Sequence, residues 1–269
     1  MNRLENKLHQ LKRQNKKALI SYMTAGYPDI KSTEKIVSYL EKYGSDIIEL
    51  GLPFSDPIAD GPVIQNSSFK ALQKGMTAKL ILKIISNIRK RTQIPIIIMT
   101  YLNPVHRYGP EKFFADAKQA GVDGLIIPDI TPEEGRFIIN LSKKYNISVI
   151  FLITPTTAKS RQSFILNKSR GFVYVVSITG VTGSKKQFHP AIIKFIKEIR
   201  RKTHKPLMLG FGISAAGQVS NIKKLVNGII IGSAIVKITG ESKASELENN
   251  LSKFLTPFRK ELGGEPHGN

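Results

Sequence analysis

One pattern repeats eight times along this chain of 269 residues. Each unit starts with a short run rich in isoleucine and valine, passes through a turn, and ends in a longer segment whose apolar residues have helical spacing. Uninterrupted apolar runs are typical of strands that are buried on both faces, as in a parallel sheet covered by helices. The eight predicted strands are Ala18 to Thr24, Asp46 to Leu50, Pro95 to Thr100, Gly124 to Ile127, Ser148 to Leu152, Val173 to Val176, Pro206 to Gly210 and Gly228 to Ile231.

The segments between these strands have the pattern of helices that pack on a sheet. In Ala191 to Arg200, three isoleucines share one face and the lysines fall on the other. Strict alternation of strand and helix leaves two α/β architectures, an open doubly wound sheet and a closed barrel. Eight repeats favour the closed (β/α)8 TIM barrel, and we expect residues 1–269 to form a single domain. The other predicted helices are Ser32 to Tyr43, Ala78 to Arg91, Pro110 to Ala120, Pro132 to Lys144, Thr157 to Ser169, Ala215 to Leu225 and Ala244 to Leu262.

Composition excludes several classes of protein and site. The chain has no cysteine, which rules out disulfides and thiolate chemistry and favours a reducing, cytoplasmic location. The segment from Met1 to Lys17 lacks the apolar core of a signal peptide. The densest apolar runs, such as Ile94 to Met99, are far shorter than the ~20 residues needed to cross a bilayer. The five histidines are scattered, so we predict no metal site.

The net charge of +21 raises the question of nucleic-acid binding. Lysines and arginines are spread over nearly every predicted helix and loop, with small clusters at Lys12 to Lys17, Arg89 to Arg91 and Arg200 to Lys205. The chain has no tryptophan and no basic stripe interleaved with aromatic residues. We therefore favour a solvated basic surface, with neither nucleic acid nor membrane as a partner. A nucleic-acid-binding protein would instead bind a duplex tightly, with a steep salt dependence.

In a barrel, the active site is built from the loops that follow the strands. Two of these loops contain glycines that would let backbone N–H groups approach an anion: Leu209 to Ser214 after the seventh strand, and Gly232 to Ala234 after the eighth. Either loop alone is equally well explained as an ordinary turn. Together, at these two positions, they match the usual phosphate site of such barrels.

Two carboxylates lie at the end of the second strand and in the loop that follows it. Glu49 lies at the end of an apolar run, where an unpaired carboxylate is costly to bury, so a solvated or ion-paired glutamate and a catalytic one both remain open. Asp60 lies in a loop rich in proline and glycine and could be a simple turn former. Two carboxylates at one barrel mouth would suit a proton-transfer reaction. No predicted strand contains a lysine, which removes the usual Schiff-base nucleophile. The loop from Ser177 to Gly183 suits a mobile lid or an ordinary polar loop.

The segments Glu49 to Pro57 and Ala59 to Gln65 closely resemble the signature of tryptophan synthase α subunits. The resemblance continues in unbroken order from Ala18 to Lys237. The further matching stretches are Thr24 to Pro28, Tyr101 to Pro104, Pro128 to Asp129, Gly180 to Gly183, Gly210 to Ser214 and Gly232 to Lys237.

The resemblance implies a retro-aldol cleavage of indole-3-glycerol phosphate into indole and glyceraldehyde 3-phosphate. It assigns Glu49 as the general acid/base and Asp60 as the group that binds the indole N–H. The implied substrate contacts are Tyr22, Ile64, Thr100 and Ile127 around the indole, Tyr174 near the glycerol chain, and Thr182, which would help position Asp60. The implied phosphate ligands are Gly183, Gly212, Gly232 and Ser233.

The resemblance also implies a partner, the β subunit of tryptophan synthase, which carries pyridoxal phosphate and receives the indole through a tunnel in an αββα tetramer. This chain itself would carry no cofactor. The loops that would face the partner contain Asp56, Pro57, Asn103 and Pro104. The sequence departs from other members at Ile178, where some carry an arginine, and at Tyr27; both positions concern closure of the mouth. The alternative enzyme is another phosphate-binding barrel, for example a stand-alone indole-3-glycerol phosphate lyase with the same catalytic residues or a related isomerase of tryptophan or histidine biosynthesis.

Overall fold

The protein is described by a computed structural model that covers residues 1–177 and 188–265. The strands are β1 (Ala18–Thr24), β2 (Ile47–Gly51), β3 (Ile96–Met99), β4 (Gly124–Ile126), β5 (Ser148–Ile150), β6 (Leu152–Ile153), β7 (Val173–Val176), β8 (Leu207–Gly210) and β9 (Gly228–Ile231). The helices are α1 (Arg3–Arg13), α2 (Ser32–Lys42), α3 (Pro62–Gln73), α4 (Ala78–Arg89), α5 (Leu102–Tyr108), α6 (Pro110–Ala120), α7 (Arg136–Tyr145), α8 (Lys159–Lys168), α9 (Pro190–Lys202), α10 (Ser233–Glu241) and α11 (Leu247–Glu261).

The strands form one parallel sheet in the order β5-β4-β3-β2-β1-β9-β8-β7-β6. The two ends of this order, β5 and β6, are parts of one continuous segment that is interrupted only at Phe151. The first part pairs with β4 and the second with β7. The sheet therefore closes on itself, which confirms the predicted (β/α)8 barrel. The predicted fifth strand is the segment that this interruption divides.

Side chains of each strand alternate between two apolar clusters. In β3, Ile97 and Met99 belong to the cluster inside the barrel, whereas Ile96 and Ile98 belong to the layer between the strands and the surrounding helices. Both faces of the sheet are thus buried, which accounts for the uninterrupted apolar runs in the sequence. Neighbouring residues on a strand face opposite layers.

Helix α1 covers one end of the barrel and was not predicted from the sequence. Its Leu4, Leu8 and Leu11 follow helical spacing and join the interior cluster. The side-chain amide of Asn2 donates hydrogen bonds to the carbonyl oxygen of Asp123 (2.8 Å) and to the hydroxyl of Ser148 (3.0 Å). Both acceptors lie where a strand begins, so α1 covers the N-terminal ends of the strands. The interior of the barrel is therefore closed at this end by α1.

One predicted helix is wrong. The segment Ala215 to Leu225 contains only a short 3-10 helix, Ala216–Gln218. The side-chain oxygen of buried Gln218 accepts hydrogen bonds from the backbone amides of Ser214 (2.8 Å) and Ala215 (2.9 Å) and so holds the chain in tight turns. Four helices were missed: α1, α3, α5 and α10. Among the described residues, none of the helices is long and apolar enough to cross a membrane.

Candidate active site

The open end of the barrel contains a cavity of about 240 Å³. It lies at the C-terminal ends of the strands, which is where active sites of such barrels are built. Several residues line it that the sequence analysis did not single out as ligand contacts, among them Met99, Phe211 and Ile230. The predicted site residues that the structure brings together here are Tyr22, Glu49, Asp60, Ile64, Tyr174, Gly212, Gly232 and Ser233.

Glu49 is the more deeply buried of the two cavity carboxylates, with 1% of its surface exposed. It lies beside Tyr22 on the neighbouring strand. Its Oε2 atom has no hydrogen-bond partner among the described residues. Burial and, to a smaller degree, the charge of Asp60 raise the pKa of Glu49 to about 8. Glu49 is therefore largely protonated at neutral pH, and a cavity ligand is the natural recipient of its proton.

Asp60 is held by Tyr101. The phenol oxygen of Tyr101 accepts a hydrogen bond from the Ala59 amide (2.9 Å) and donates its proton to Asp60 Oδ2 (3.1 Å). Burial raises the pKa of Asp60 to about 6, while the hydrogen bond from Tyr101 opposes this rise. Asp60 is thus largely ionised at neutral pH. Its Oδ1 atom is buried without a partner among the described residues and can accept an N–H from a ligand.

The role of Tyr101 in orienting Asp60 was missed. The sequence placed Tyr101 just after the third strand, at the same mouth as Asp60. Position alone does not reveal which side chain a phenol will contact, because the Asp60 loop could fold in many ways. The structure shows that the loop lies across Tyr101, whose ring also packs against Phe54 with the ring centres 5.3 Å apart.

A chain of hydroxyl groups connects the cavity wall to α3. The hydroxyl of Tyr22 lies 3.4 Å from that of Thr24, which lies 2.6 Å from that of Ser67. Ser67 donates its only proton to the carbonyl oxygen of Ile64 (2.8 Å), so Thr24 donates to Ser67 and Tyr22 donates to Thr24. The chain therefore ties the Tyr22 ring to the helix that follows the Asp60 loop.

Two glycines make room for the cavity tyrosines. A Cβ atom at Gly51 would lie 2.2 Å from the hydroxyl oxygen of Tyr22, and one at Gly210 would lie 2.3 Å from that of Tyr174. Both separations are far shorter than van der Waals contact. Glycine at the ends of β2 and β8 thus lets the two phenol groups lie close to the backbone of the neighbouring strands.

Gly51→Ala should displace the Tyr22 ring. We expect the free energy of unfolding to fall by about 1–3 kcal/mol, because the added methyl group overfills a closely packed region. Urea denaturation followed by circular dichroism measures this. Gly217→Ala is the matched control, since a Cβ there meets nothing within 4 Å. Equal stability of the two variants would contradict the role given to Gly51.

The cavity also has the features of an anion site. Phe211 and Gly212 both have left-handed backbone conformations, with φ of 72° and 75°. Such a turn directs successive backbone N–H groups toward one point. Gly232 is the N-cap of α10 and Ser233 is its first residue, so the unpaired amides and the positive end of this helix face the cavity that both residues line.

The family model of the tryptophan synthase alpha chain matches residues 8–262. The chain belongs to the tryptophan synthase alpha chain family. It is 41% identical over 264 residues to the tryptophan synthase alpha chain of Pelobacter propionicus, covering 98% of this chain and 99% of that one. It is 44% identical to the alpha chain of Caldanaerobacter subterraneus, covering 97% and 100%. The crystal structure of tryptophan synthase subunit alpha from Legionella pneumophila is similar with a TM-score of 0.90, at 33% identity and 97% and 98% coverage.

Two of the substrate contacts expected for this family do not line the cavity. Ile127 belongs to the outer layer between strands and helices, and Thr100 is buried outside the cavity wall. The residues one position earlier, Met99 and Ile126, are the ones that join the interior cluster. A shift of one residue along a strand reverses the face on which a side chain lies, so the expected positions for Thr100 and Ile127 were wrong.

The positions expected to face a partner lie at the protein surface. Asp56 and Asn103 are exposed, while Pro57 and Pro104 are partly exposed, in the loop after β2 and at the start of α5. Tyr27, the departure in the first loop, lies against α10, where its hydroxyl would be 1.9 Å from a Cβ at Gly240. Thr182 and Gly183, like Ile178, lie outside the described residues. Among the described residues, no group of acidic or histidine side chains is placed to hold a metal ion.

Proposed function

We propose that this chain is the α subunit of tryptophan synthase and that its cavity cleaves indole-3-glycerol phosphate into indole and glyceraldehyde 3-phosphate. The observation that carries the proposal is the pairing of two carboxyl groups of different protonation in one cavity. Burial raises the pKa of Glu49 to about 8 and that of Asp60 to about 6, so one is mainly an acid and the other mainly a base at neutral pH.

One carboxyl group suffices for the proton transfers. Protonated Glu49 donates its proton to indole C3, and its carboxylate then takes the proton of the hydroxyl on the adjacent side-chain carbon. The bond from C3 to that carbon breaks, its electron pair restores the aromatic ring, and the carbon becomes the aldehyde. Glu49 ends protonated, as it began. No oxidant or metal is needed for this balance.

Asp60 would stabilise the charge that develops on the ring. Protonation of C3 makes the indole nitrogen positive, and the buried Oδ1 of Asp60 can accept its N–H. The phosphate would bind to the backbone amides near Gly212 and at the start of α10. Tyr174, Tyr22 and Ile64 would then surround the substrate between these two ends.

We further propose the β subunit of tryptophan synthase as partner, in an αββα tetramer through which indole passes. Ile58 supports a docked partner, because this large apolar side chain is 83% exposed beside Asp56 and Pro57. Pyridoxal phosphate would belong to the partner, and this chain would supply no cofactor. The absence of cysteine supports a cytoplasmic location.

Indole release from indole-3-glycerol phosphate, with and without added β subunit, tests the proposal. Slow release by the chain alone that rises strongly with the β subunit supports the α-subunit role. Fast release that the β subunit does not change would favour a stand-alone lyase. No release in either condition would contradict the proposed reaction.

Tyr101→Phe should shift the acid limb of the pH profile. Loss of the hydrogen bond raises the pKa of Asp60 above about 6, because that bond stabilises the carboxylate. We expect kcat/KM to fall about tenfold near pH 6.5 and to recover partly at higher pH, since a hydrogen bond to a charged group contributes about 1.5–3 kcal/mol. The basic limb, set by Glu49, should not move.

Tyr108→Phe is the control for Tyr101→Phe. It also removes a hydrogen bond from a phenol to an aspartate, in this case Asp116 at 2.6 Å, but it lies on α5 outside the cavity. If the acid limb of the pH profile has the same position in Tyr101→Phe as in the unmodified protein, then Tyr101 does not set the pKa of Asp60.

A further inference from the structure

A groove of about 1240 Å³ lies along one side of α1, at the end of the barrel opposite the candidate active site. Residues at the starts of strands line it, such as Ala18 and Pro206. Eight lysines and arginines line the groove but only one carboxylate, Glu5, and that carboxylate is paired with Arg170 at 2.9 Å. A second groove of about 1030 Å³ on the other side of α1 shares Met1 and His9 with the first. Lys202 is paired with Glu198 at 2.9 Å, so six cations of the first groove have no ion pair among the described residues.

Four lysines of this groove, which we call the floor lysines, are available to a ligand: Lys12, Lys16, Lys143 and Lys168. All four are exposed. None has an ion pair with a carboxylate of residues 1–177 or 188–265, and the ammonium group of Lys168 lies 5.4 Å from the ring centre of Phe164. They come from α1, the residues after it, α7 and α8, so folding brings together charges that are distant in sequence.

Two further cations that line the groove, Lys205 and Arg200, are held by hydrogen bonds to backbone carbonyl oxygens. The ammonium group of Lys205 donates to the carbonyl oxygens of Leu166 (2.7 Å), Asn167 (2.9 Å) and Ser169 (2.6 Å) at the end of α8. Arg200 donates to the carbonyl oxygen of Lys205 (3.1 Å). Burial lowers the pKa of both groups, so their charge is held at an electrostatic cost that a nearby anion would reduce.

The shape and lining of the groove limit the ligand. The charges line a concave groove, which a flat membrane surface cannot enter. Among the described lining residues, the imidazoles of His9 and His204 are the only aromatic rings, and no phenylalanine, tyrosine or tryptophan is present, so nucleobases would find little stacking surface. A linear polymer of phosphate charges without bases satisfies both conditions. We propose that this groove binds inorganic polyphosphate. The site is separate from the cavity of the proposed reaction and does not depend on it.

Titration of the full chain with long-chain inorganic polyphosphate, at increasing salt up to physiological ionic strength, tests the proposal. Replacing the four floor lysines by alanine should weaken binding about tenfold or more and flatten its salt dependence, because fewer counterions are released. The matched control replaces four exposed lysines of α2, α4 and the residue before α2 by alanine: Lys31, Lys35, Lys79 and Lys83. It should change affinity less than about twofold, since these lysines lie outside both grooves.

Three results would overturn the proposal: no saturable binding at physiological ionic strength, equal weakening in both quadruple variants, or tighter binding of a single-stranded RNA of equal charge. The second would indicate a response to net charge, and the third would indicate a ligand whose bases are read. Lysine acetylation followed by mass spectrometry provides a test without substitutions. Polyphosphate should protect the floor lysines and leave Lys79 and Lys83 reactive; uniform protection would contradict a local site.

Discussion

Glu49→Gln should reduce indole release by about 10²–10⁴-fold, the usual contribution of a positioned general acid/base. Glutamine has nearly the same shape as glutamic acid but cannot donate and recover a proton, so binding should persist while cleavage stops. Steady-state indole release and substrate binding by calorimetry separate the two effects. Turnover close to that of the unmodified protein would exclude Glu49 as the proton shuttle.

The control for this variant is Glu41→Gln. Glu41 accepts a hydrogen bond from Thr92 at 2.5 Å and does not line the cavity, so the same chemical change there should leave cleavage intact. Binding of the β subunit should be the same in both variants. Loss of β-subunit binding in Glu49→Gln alone would indicate a structural defect instead of a lost proton.

Glu49→Gln should also stabilise the protein at higher pH. The ordinary pKa of the glutamate is 4.5 and burial raises it to about 8 in the folded state. Below pH 4.5 both states hold the proton and no penalty arises. Between pH 4.5 and about 8 only the unfolded state releases it, so stability falls by up to about 1.4 kcal/mol per pH unit. Above about pH 8 the penalty is constant.

Glutamine has no such proton, so the gain in stability of Glu49→Gln over the unmodified protein should grow from pH 5 to pH 8. Urea unfolding at both pH values measures it. A difference that does not change with pH would show that the Glu49 carboxyl is already ionised in the folded protein at pH 5.

Gly212→Asp should raise KM by about 100-fold, because a carboxylate beside the phosphate adds about 1–2 kcal/mol of repulsion and the left-handed backbone adds about 1 kcal/mol. Gly212 has φ of 75° and lines the cavity. Gly212→Ala separates the two causes, since it keeps the backbone strain without the charge. Isothermal titration with glyceraldehyde 3-phosphate measures the loss of phosphate affinity directly.

Gly217→Asp is the matched control for Gly212→Asp. It introduces the same charge in the same loop between β8 and β9, where a Cβ meets nothing within 4 Å, and Gly217 does not line the cavity. It should change KM little. Unchanged affinity in Gly212→Asp would mean that the phosphate binds elsewhere.

Much of the candidate site could be predicted because a barrel places every strand end at one mouth. Glu49 lies near the end of β2 and Asp60 in the loop after it, while Gly212 and Gly232 follow β8 and β9, so the order of the strands was sufficient to bring these four residues together. Which residues point into the barrel interior was less predictable. Thr100 and Ile127 were expected at the indole, but Met99 and Ile126 are the residues that join the barrel interior.

The sequence by itself determined the repeating strand and helix order, the closed barrel and the loops that carry the carboxylates, because hydrophobic periodicity and turn residues act over a few neighbouring positions. Tertiary structure alone decided three other features. Helix α1 covers the N-terminal end of the barrel because its leucines pack into the interior cluster. Tyr101 came to hold Asp60. Glu49 acquired a pKa of about 8 because the fold removed it from water. Each of these depends on atoms that are distant in sequence, and a local pattern carries no information about their separation.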